Sequence, residues 1–222
     1  MTFAFARIQL DEVREFCDHS ERWARREQRD FRAQAEDRMK RADENSEETQ
    51  FLAESLAEDL DQLEKTFPNI LRTSLFMQSC SAFEHSLVKI ARCFESAKVT
   101  AFLDLPNDAG IKKAQSYLKK VGQVRFPDQT DAWADILKVF DVRNVTVHAR
   151  GIVLKEPKHP KQVKHKQQFE ALRSRWPGDL ELDRFDQIVL SAAFIPRVLD
   201  LFDRFLSELE GQARAAIGKS EE

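Results

Sequence analysis

Residues 133–148 read Trp-Ala-Asp-Ile-Leu-Lys-Val-Phe-Asp-Val-Arg-Asn-Val-Thr-Val-His, and the period of their apolar positions decides the fold class. Two readings compete for them. Val142, Val145, Thr146 and Val147, with Ile152 and Val153 just beyond, are β-branched, and such residues pack well in strands. Against this, Trp133, Ile136, Leu137 and Phe140 recur at the three- and four-residue intervals of one helix face. That upstream run tips the balance to a helix over 133–147, and Gly151 supplies a stop signal past it. A helix here makes the chain all-α: a helical bundle with a long charged N-terminal helix. The remaining strand-like pieces, Ile152-Val153-Leu154 and Leu180-Glu181-Leu182, are candidates for one small edge β-hairpin.

Working outward, residues 69–97 form the most apolar early element. Projected at about 100° per residue, Ile90, Phe83, Phe76, Phe94, Leu87, Cys80, Ala91, Met77 and Val88 share one broad arc, with Ser81, Arg92, His85, Gln78 and Lys89 on the polar side. Before it, Leu52, Leu56, Leu60 and Leu63 line a helix over 49–66. Phe67-Pro68 interrupts that helix, and Pro68 suits the first turn of the next. Residues 9–41 predict a long, highly charged helix with a thin apolar stripe of Val13, Phe16, Cys17, Phe31 and Ala35. Arg22, Arg25, Arg26, Arg29 and Arg32 suggest a basic face. Glu21, Glu27 and Asp30 interleave with them, which favours a solvated, ion-paired helix over an RNA-guiding arm.

Residues 102–109 read as a loop, followed by a short helix at 111–120 and a second loop through Pro127. Two prolines and five lysines make 155–166 an exposed basic loop. The last helix, 184–209, is spaced as Ile188, Ala192, Ile195, Leu199, Phe202, Leu206 and Leu209. Pro196 is expected to kink or split it, and the tail from Gly211 to fray. The chain thus divides into an N-terminal charged helix and loop (1–48), a helical bundle (49–210) and a flexible tail (211–222).

Chemistry concentrates at Arg143-Asn144-Val145-Thr146-Val147-His148. Arginine is a permanent planar cation that grips phosphate oxygens two at a time, and histidine moves protons near neutral pH. Together they are a minimal set for cutting a ribose-phosphate bond without a metal. On an unbroken helix the two side chains point about 140° apart, whereas Asn144 and His148 share a face. A joint site therefore needs a helix that ends near His148, or two copies of the chain that each supply half. Glu84 lies within the apolar arc of 69–97, where an unpaired carboxylate is costly. Its partner is Arg143, or a core arginine such as Arg72 or Arg92. No His, Cys, Asp and Glu cluster has metal-ligand spacing, and six glycines form no phosphate-cradling loop, so neither metal nor cofactor is expected.

An arginine and a histidine with four residues between them, and a polar residue directly after the arginine, resemble the HEPN superfamily motif. Phe67-Pro68-Asn69-Ile70-Leu71-Arg72-Thr73-Ser74-Leu75-Phe76, then Phe83-Glu84 and Leu87, are similar to the early core helix of HEPN-like bacterial proteins. The resemblance covers roughly residues 50–155 and implies a small α-helical bundle that pairs as a homodimer. It also implies a metal-independent endoribonuclease of the toxin–antitoxin or anti-phage kind, with an antitoxin or other defence-system protein as partner. Other members are non-catalytic modules that bind a nucleotide or a protein. In the catalytic reading Arg143 holds the scissile phosphate, and His148 removes the 2′-hydroxyl proton or protonates the leaving 5′-oxygen. Asn144 bonds the histidine or the phosphate, and Glu84 orients Arg143. Such cleavage leaves a 2′,3′-cyclic phosphate and requires RNA. Lys158, Lys161, Lys164 and Lys166 follow the motif closely enough to track an RNA backbone.

Composition sets the outer limits. Charged residues make up 33% of 222, yet the formal net charge is −3, so any nucleic-acid binding must be local. Cys17, Cys80 and Cys93 are too few and too irregular for a disulfide framework, which fits a reducing cytosol. Met1-Thr2-Phe3-Ala4-Phe5 has no signal-peptide character, and the apolar run Ile188–Ile195 is too short to span a bilayer. A soluble cytoplasmic protein is expected.

Overall fold

Residues 131–148 are helical from end to end. Thr130 begins the helix: its hydroxyl accepts from the Trp133 amide at 3.4 Å and donates to the Pro127 carbonyl at 2.9 Å. Trp133, Ile136, Val139, Phe140, Val142 and Val145 are all buried. The β-branched valines thus serve the core from a helix, because three- and four-residue spacing carries through them. The computed structural model describes residues 2–42, 46–94 and 110–218. Among these, the chain runs α1 (Thr2–Arg41), α2 (Glu47–Asp61), α3 (Phe67–Cys93), α4 (Gly110–Lys120), α5 (Asp131–His148), α6 (Pro160–Arg175), β1 (Leu180–Leu182), β2 (Ile188–Leu190) and α7 (Phe194–Gly218). The fold is predominantly all-α with one two-stranded antiparallel sheet. The loop expected at 102–109 lies outside the described residues.

The core is aromatic and joins α3, α5 and α7. Phe83 stacks on Phe202 at a centroid distance of 4.1 Å and meets Phe205 edge-on at 6.0 Å. Trp133 stacks on Phe205 at 5.1 Å. Stacked and edge-on pairs add roughly 0.5–1.5 kcal/mol beyond the area they bury.

α3 is buried on more of its circumference than its apolar arc predicted. Leu75, Ser79, Ala82 and Ser86 are also buried, in a second seam that faces α1. The α1 counterpart is Ala6, Leu10, Val13, Cys17, Ser20 and Ala24, a heptad-like stripe of mostly small residues. The two helices are antiparallel, since Thr2 bonds Cys93, Gln9 bonds Ser86 and Glu21 bonds Arg72. Ala6, Leu10, Val13 and Cys17, assigned from sequence to an N-terminal segment, therefore belong to the same core. Phe16, expected in the α1 stripe, is 59% exposed. The alternation of threes and fours that begins at Ala6 leaves Phe16 on the flank.

Pro68 falls in the first turn of α3, as expected, but no break separates that helix from α2. Residues 62–66 form a π-helical turn, and the backbone stays helical from α2 into α3. The wider turn absorbs the proline: the Phe67 amide bonds the Gln62 carbonyl, five residues back. Leu63 then has no helical donor, because Pro68 carries no N–H. Gln28 of α1 answers it, donating to the Leu63 carbonyl at 2.9 Å.

Three further expectations are corrected at the C-terminal end. Leu180–Leu182 pairs with Ile188–Leu190 in register Leu180↔Leu190, not with 152–154. The Asp183 carboxylate accepts from the Phe185 and Gln187 amides and so folds the turn between them. Ile152 keeps only an isolated bridge to Gln187. The last helix begins at Phe194, so Ile188 is in a strand and Pro196 falls in the first helical turn, where a missing N–H costs nothing. Gly211 lies inside α7, and Ala213 beyond it is buried.

Candidate functional site

α5 carries the Arg143–His148 motif, and its geometry follows from where the helix stops. It runs unbroken through His148, with Ala149 as the capping residue. The Ala149 amide bonds the Val145 carbonyl at 2.9 Å; Arg150 and Gly151 then turn the chain with φ +54 and +72. Gly151 therefore stops the helix after His148 and does not bend Arg143 toward it. On this regular helix the two side chains diverge by about 140°.

Arg143 is half-buried and faces α3. Its Nη1 donates to the Asn144 Oδ1 at 3.1 Å, and among the described residues its buried Nε has no acceptor. The Cys80 thiol feels its charge and that of Glu84: burial pushes the thiol pKa up, Arg143 opposes this and Glu84 adds to it. Yet among the described residues no ion pair joins Glu84 to Arg143. The Glu84 carboxylate lies against Gly110, where an added Cβ would sit 2.7 Å from its Oε1. That is the positive end of α4, which favours a negative charge. Arg72, one of the two core arginines proposed as alternatives, is engaged by Glu21 through both oxygens, at 2.5 and 2.8 Å.

His148 is exposed and faces α6. α6 runs antiparallel to α5 along a polar seam. Arg175 bonds Asp135 at 3.0 Å, Gln168 bonds Asp141 at 2.9 Å, and the next level brings His165 beside His148. Burial raises the Asp141 pKa, and Lys164 and Lys112 oppose the shift. Above this seam lies a groove of about 420 Å³. Ala149, Ile152 and Leu154 form its apolar side; His148, His159, Lys161 and His165 line the rest, with Gln162 at the α6 end. None of these lining residues is a carboxylate.

The basic stretch 155–166 is only half loop, because α6 starts at Pro160. The Gln162 side chain accepts from the Lys158 and His159 amides at 3.0 and 3.2 Å and holds the entry. The four lysines do not share one face. Lys161 lines the groove, while Lys164 acts on Asp141. Lys158 sits in the exposed loop, and the Lys166 Nζ donates to the Lys155 carbonyl at 2.7 Å. His165 and His159, read from sequence as members of a solvated loop, are the site residues that reading missed. The signal was present: Lys161 and His165 are four apart, and Pro160 after His159 is a helix start.

A larger open depression of about 720 Å³ along α7 is lined by charges already paired within the chain. Arg197 pairs with Asp179 at 2.6 Å, Asp200 with Arg14 at 2.8 Å and Asp203 with Arg7 at 3.5 Å. These bonds hold the fold and leave little for a ligand. Among the described residues no His, Cys, Asp and Glu group is arranged to hold a metal ion, and no helix is long and apolar enough to cross a membrane. Compared with known proteins, the chain matches no family model, no curated protein and no solved structure.

Proposed function

We propose that this protein is a metal-independent endoribonuclease of HEPN type, acting as a cytoplasmic homodimer in a toxin–antitoxin or anti-phage setting. The observation that carries the reading is His148 at the open edge of a groove lined by further histidines and a lysine and by no carboxylate. A phosphodiester is the substrate such a lining suits, and imidazole moves protons near neutral pH without a metal. Arg143 supports the reading through its half-buried guanidinium, whose Nη1 donates to the Oδ1 of exposed Asn144. A guanidinium held with spare donors is disposed to receive phosphate oxygens. Because Arg143 and His148 diverge within one chain, the composite site draws Arg143 from one copy and His148 from its partner.

The test is incubation of purified protein with mixed RNA in excess EDTA, followed by end-group analysis. Cleavage to 2′,3′-cyclic phosphate ends is expected. His148→Ala should lower it by about 10²–10⁴-fold with an unchanged thermal midpoint. Arg143→Lys should be nearly as damaging as Arg143→Ala, since a lysine keeps the charge but loses the two-pronged grip. Cleavage by His148→Ala at the wild-type rate would end the assignment.

A second reading is a non-catalytic HEPN module that binds a nucleotide or a protein partner. It is favoured by the divergence of Arg143 and His148 and by Glu84 turning to α4 instead of orienting Arg143. RNA that binds and stays intact in the same assay selects it.

A further inference from the structure

We infer that the α5–α6 groove receives the nucleotide at the scissile bond, with His165 as the second proton-transfer group alongside His148. The inference rests on the endoribonuclease reading and adds to it a residue outside the Arg143–His148 motif.

The placement of His165 follows from the seam beneath it. The Asp135–Arg175 and Asp141–Gln168 bonds fix the register of α6 on α5, and that register brings His165 and Lys161 level with His148. Three of the chain's five histidines therefore line one groove. Its volume, about 420 Å³, is within the usual range for clefts that hold small organic ligands. The apolar side, Ile152 and Leu154, offers a surface to a base or ribose. Lys161 and three imidazoles share the lining, with no carboxylate among the lining residues to repel a phosphate. A metal would need carboxylates or a tighter ligand set, and none is arranged here among the described residues.

Two imidazoles on one phosphate complete the proton balance. Neutral His165 takes the proton of the 2′-hydroxyl as the 2′-oxygen bonds to phosphorus. The bond from phosphorus to the 5′-oxygen breaks, its electron pair stays on that oxygen, and protonated His148 supplies the proton. The products are a 2′,3′-cyclic phosphate and a 5′-hydroxyl, and nothing is oxidised or reduced. The roles are assigned from the surroundings of His165. It is faced by Lys161 and Lys164 from its own helix, by His148 from α5, and by His159 along the groove. Burial, then Lys161, His148 and Lys164, hold its pKa below the usual histidine value, which keeps it neutral and basic at neutral pH.

Two measurements test this. The first follows the imidazole proton resonances while nucleoside 3′-monophosphates, and separately inorganic phosphate, are added. Nucleotide should move His148 and His165 together and leave His19 and His85 in place. Phosphate alone should move them at higher concentration. The second is the pH dependence of single-turnover cleavage by His165→Gln, with a thermal melt as control for folding. The rate should fall about 10²–10⁴-fold, and the residual profile should lose its acidic limb while keeping the basic one. If wild type cleaves, His148→Ala does not, and His165→Gln matches wild type at every pH, the second-group assignment is overturned and the nuclease reading stands. If wild type fails to cleave, the nuclease reading and the proton-transfer role fall together, and the resonances alone decide whether the groove is a nucleotide site. Equal movement of all five histidines, or none at millimolar nucleotide, overturns the groove as well.

Discussion

Gly110 opens α4 with φ +58, a backbone region that costs an L-residue with a Cβ about 1–2 kcal/mol. Its missing Cβ also leaves room for the Glu84 carboxylate, whose Oε1 would lie 2.7 Å from such an atom. Glu84 therefore has a structural task at the start of α4, and the buried carboxylate expected from its place in the apolar arc is answered there. Gly110→Ala should lower stability by at least about 1 kcal/mol, read from the denaturant midpoint at constant slope. Adding Glu84→Ala should recover part of the loss by removing the contact but not the backbone strain. A single variant as stable as wild type would mean that neither strain nor contact is present. Residue roles of this kind were only partly legible. The sequence shows that Glu84 needs a partner, but one helix projection cannot show which neighbouring helix supplies it.

At the scale of elements, the lysine run after the motif separates into unlike parts. Lys161 faces the groove from the first turn of α6, whereas the Lys166 ammonium is bound to the Lys155 carbonyl and pins the loop. Lys161→Gln should weaken binding of single-stranded RNA and reduce the slope of log affinity against log salt by roughly 0.7, the share of one phosphate contact. Lys166→Gln should leave both nearly unchanged. Fluorescence anisotropy across a potassium chloride series measures the two variants side by side, and equal losses would show that the run acts as diffuse charge. Read as a string, 155–166 looks uniform because composition carries no register. Pro160 imposes the helix, and the helix then sends successive lysines to different sides. The same limit explains the hairpin. Ile188, Ala192, Ile195 and Leu199 continue a helical period into α7 so well that the strand at Ile188–Leu190 is hidden within it. The two amides bound to Asp183 bring β2 back beside β1.

For the whole molecule, periodicity exposed the architecture where one face is buried and obscured it where two are. α5 and α7 each show the core a broad apolar stripe, and both are readable as helices although the start of α7 is not. α3 packs against α1 on one side and the aromatic core on the other. Its second seam, Leu75, Ser79, Ala82 and Ser86, is serine or alanine at three of four positions and carries little hydrophobic signal. The site divides in the same way: Arg143 faces the α3 side of α5, and His148 the α6 side. On a regular helix the two side chains stay apart, so the proposed site is composed from two chains. Mixing Arg143→Ala subunits with His148→Ala subunits tests this composition. Each variant alone should be inactive as a homodimer. In the mixture, exchange creates heterodimers in which one of the two composite sites carries both native residues and the other carries neither. About half of a random mixture is heterodimer, so on the order of one quarter of wild-type activity should return if sites act independently. Light scattering should show dimers at micromolar concentration throughout. Activity that stays absent in demonstrated heterodimers would place Arg143 and His148 in one chain's site, and the α5 geometry would then have to change when RNA binds.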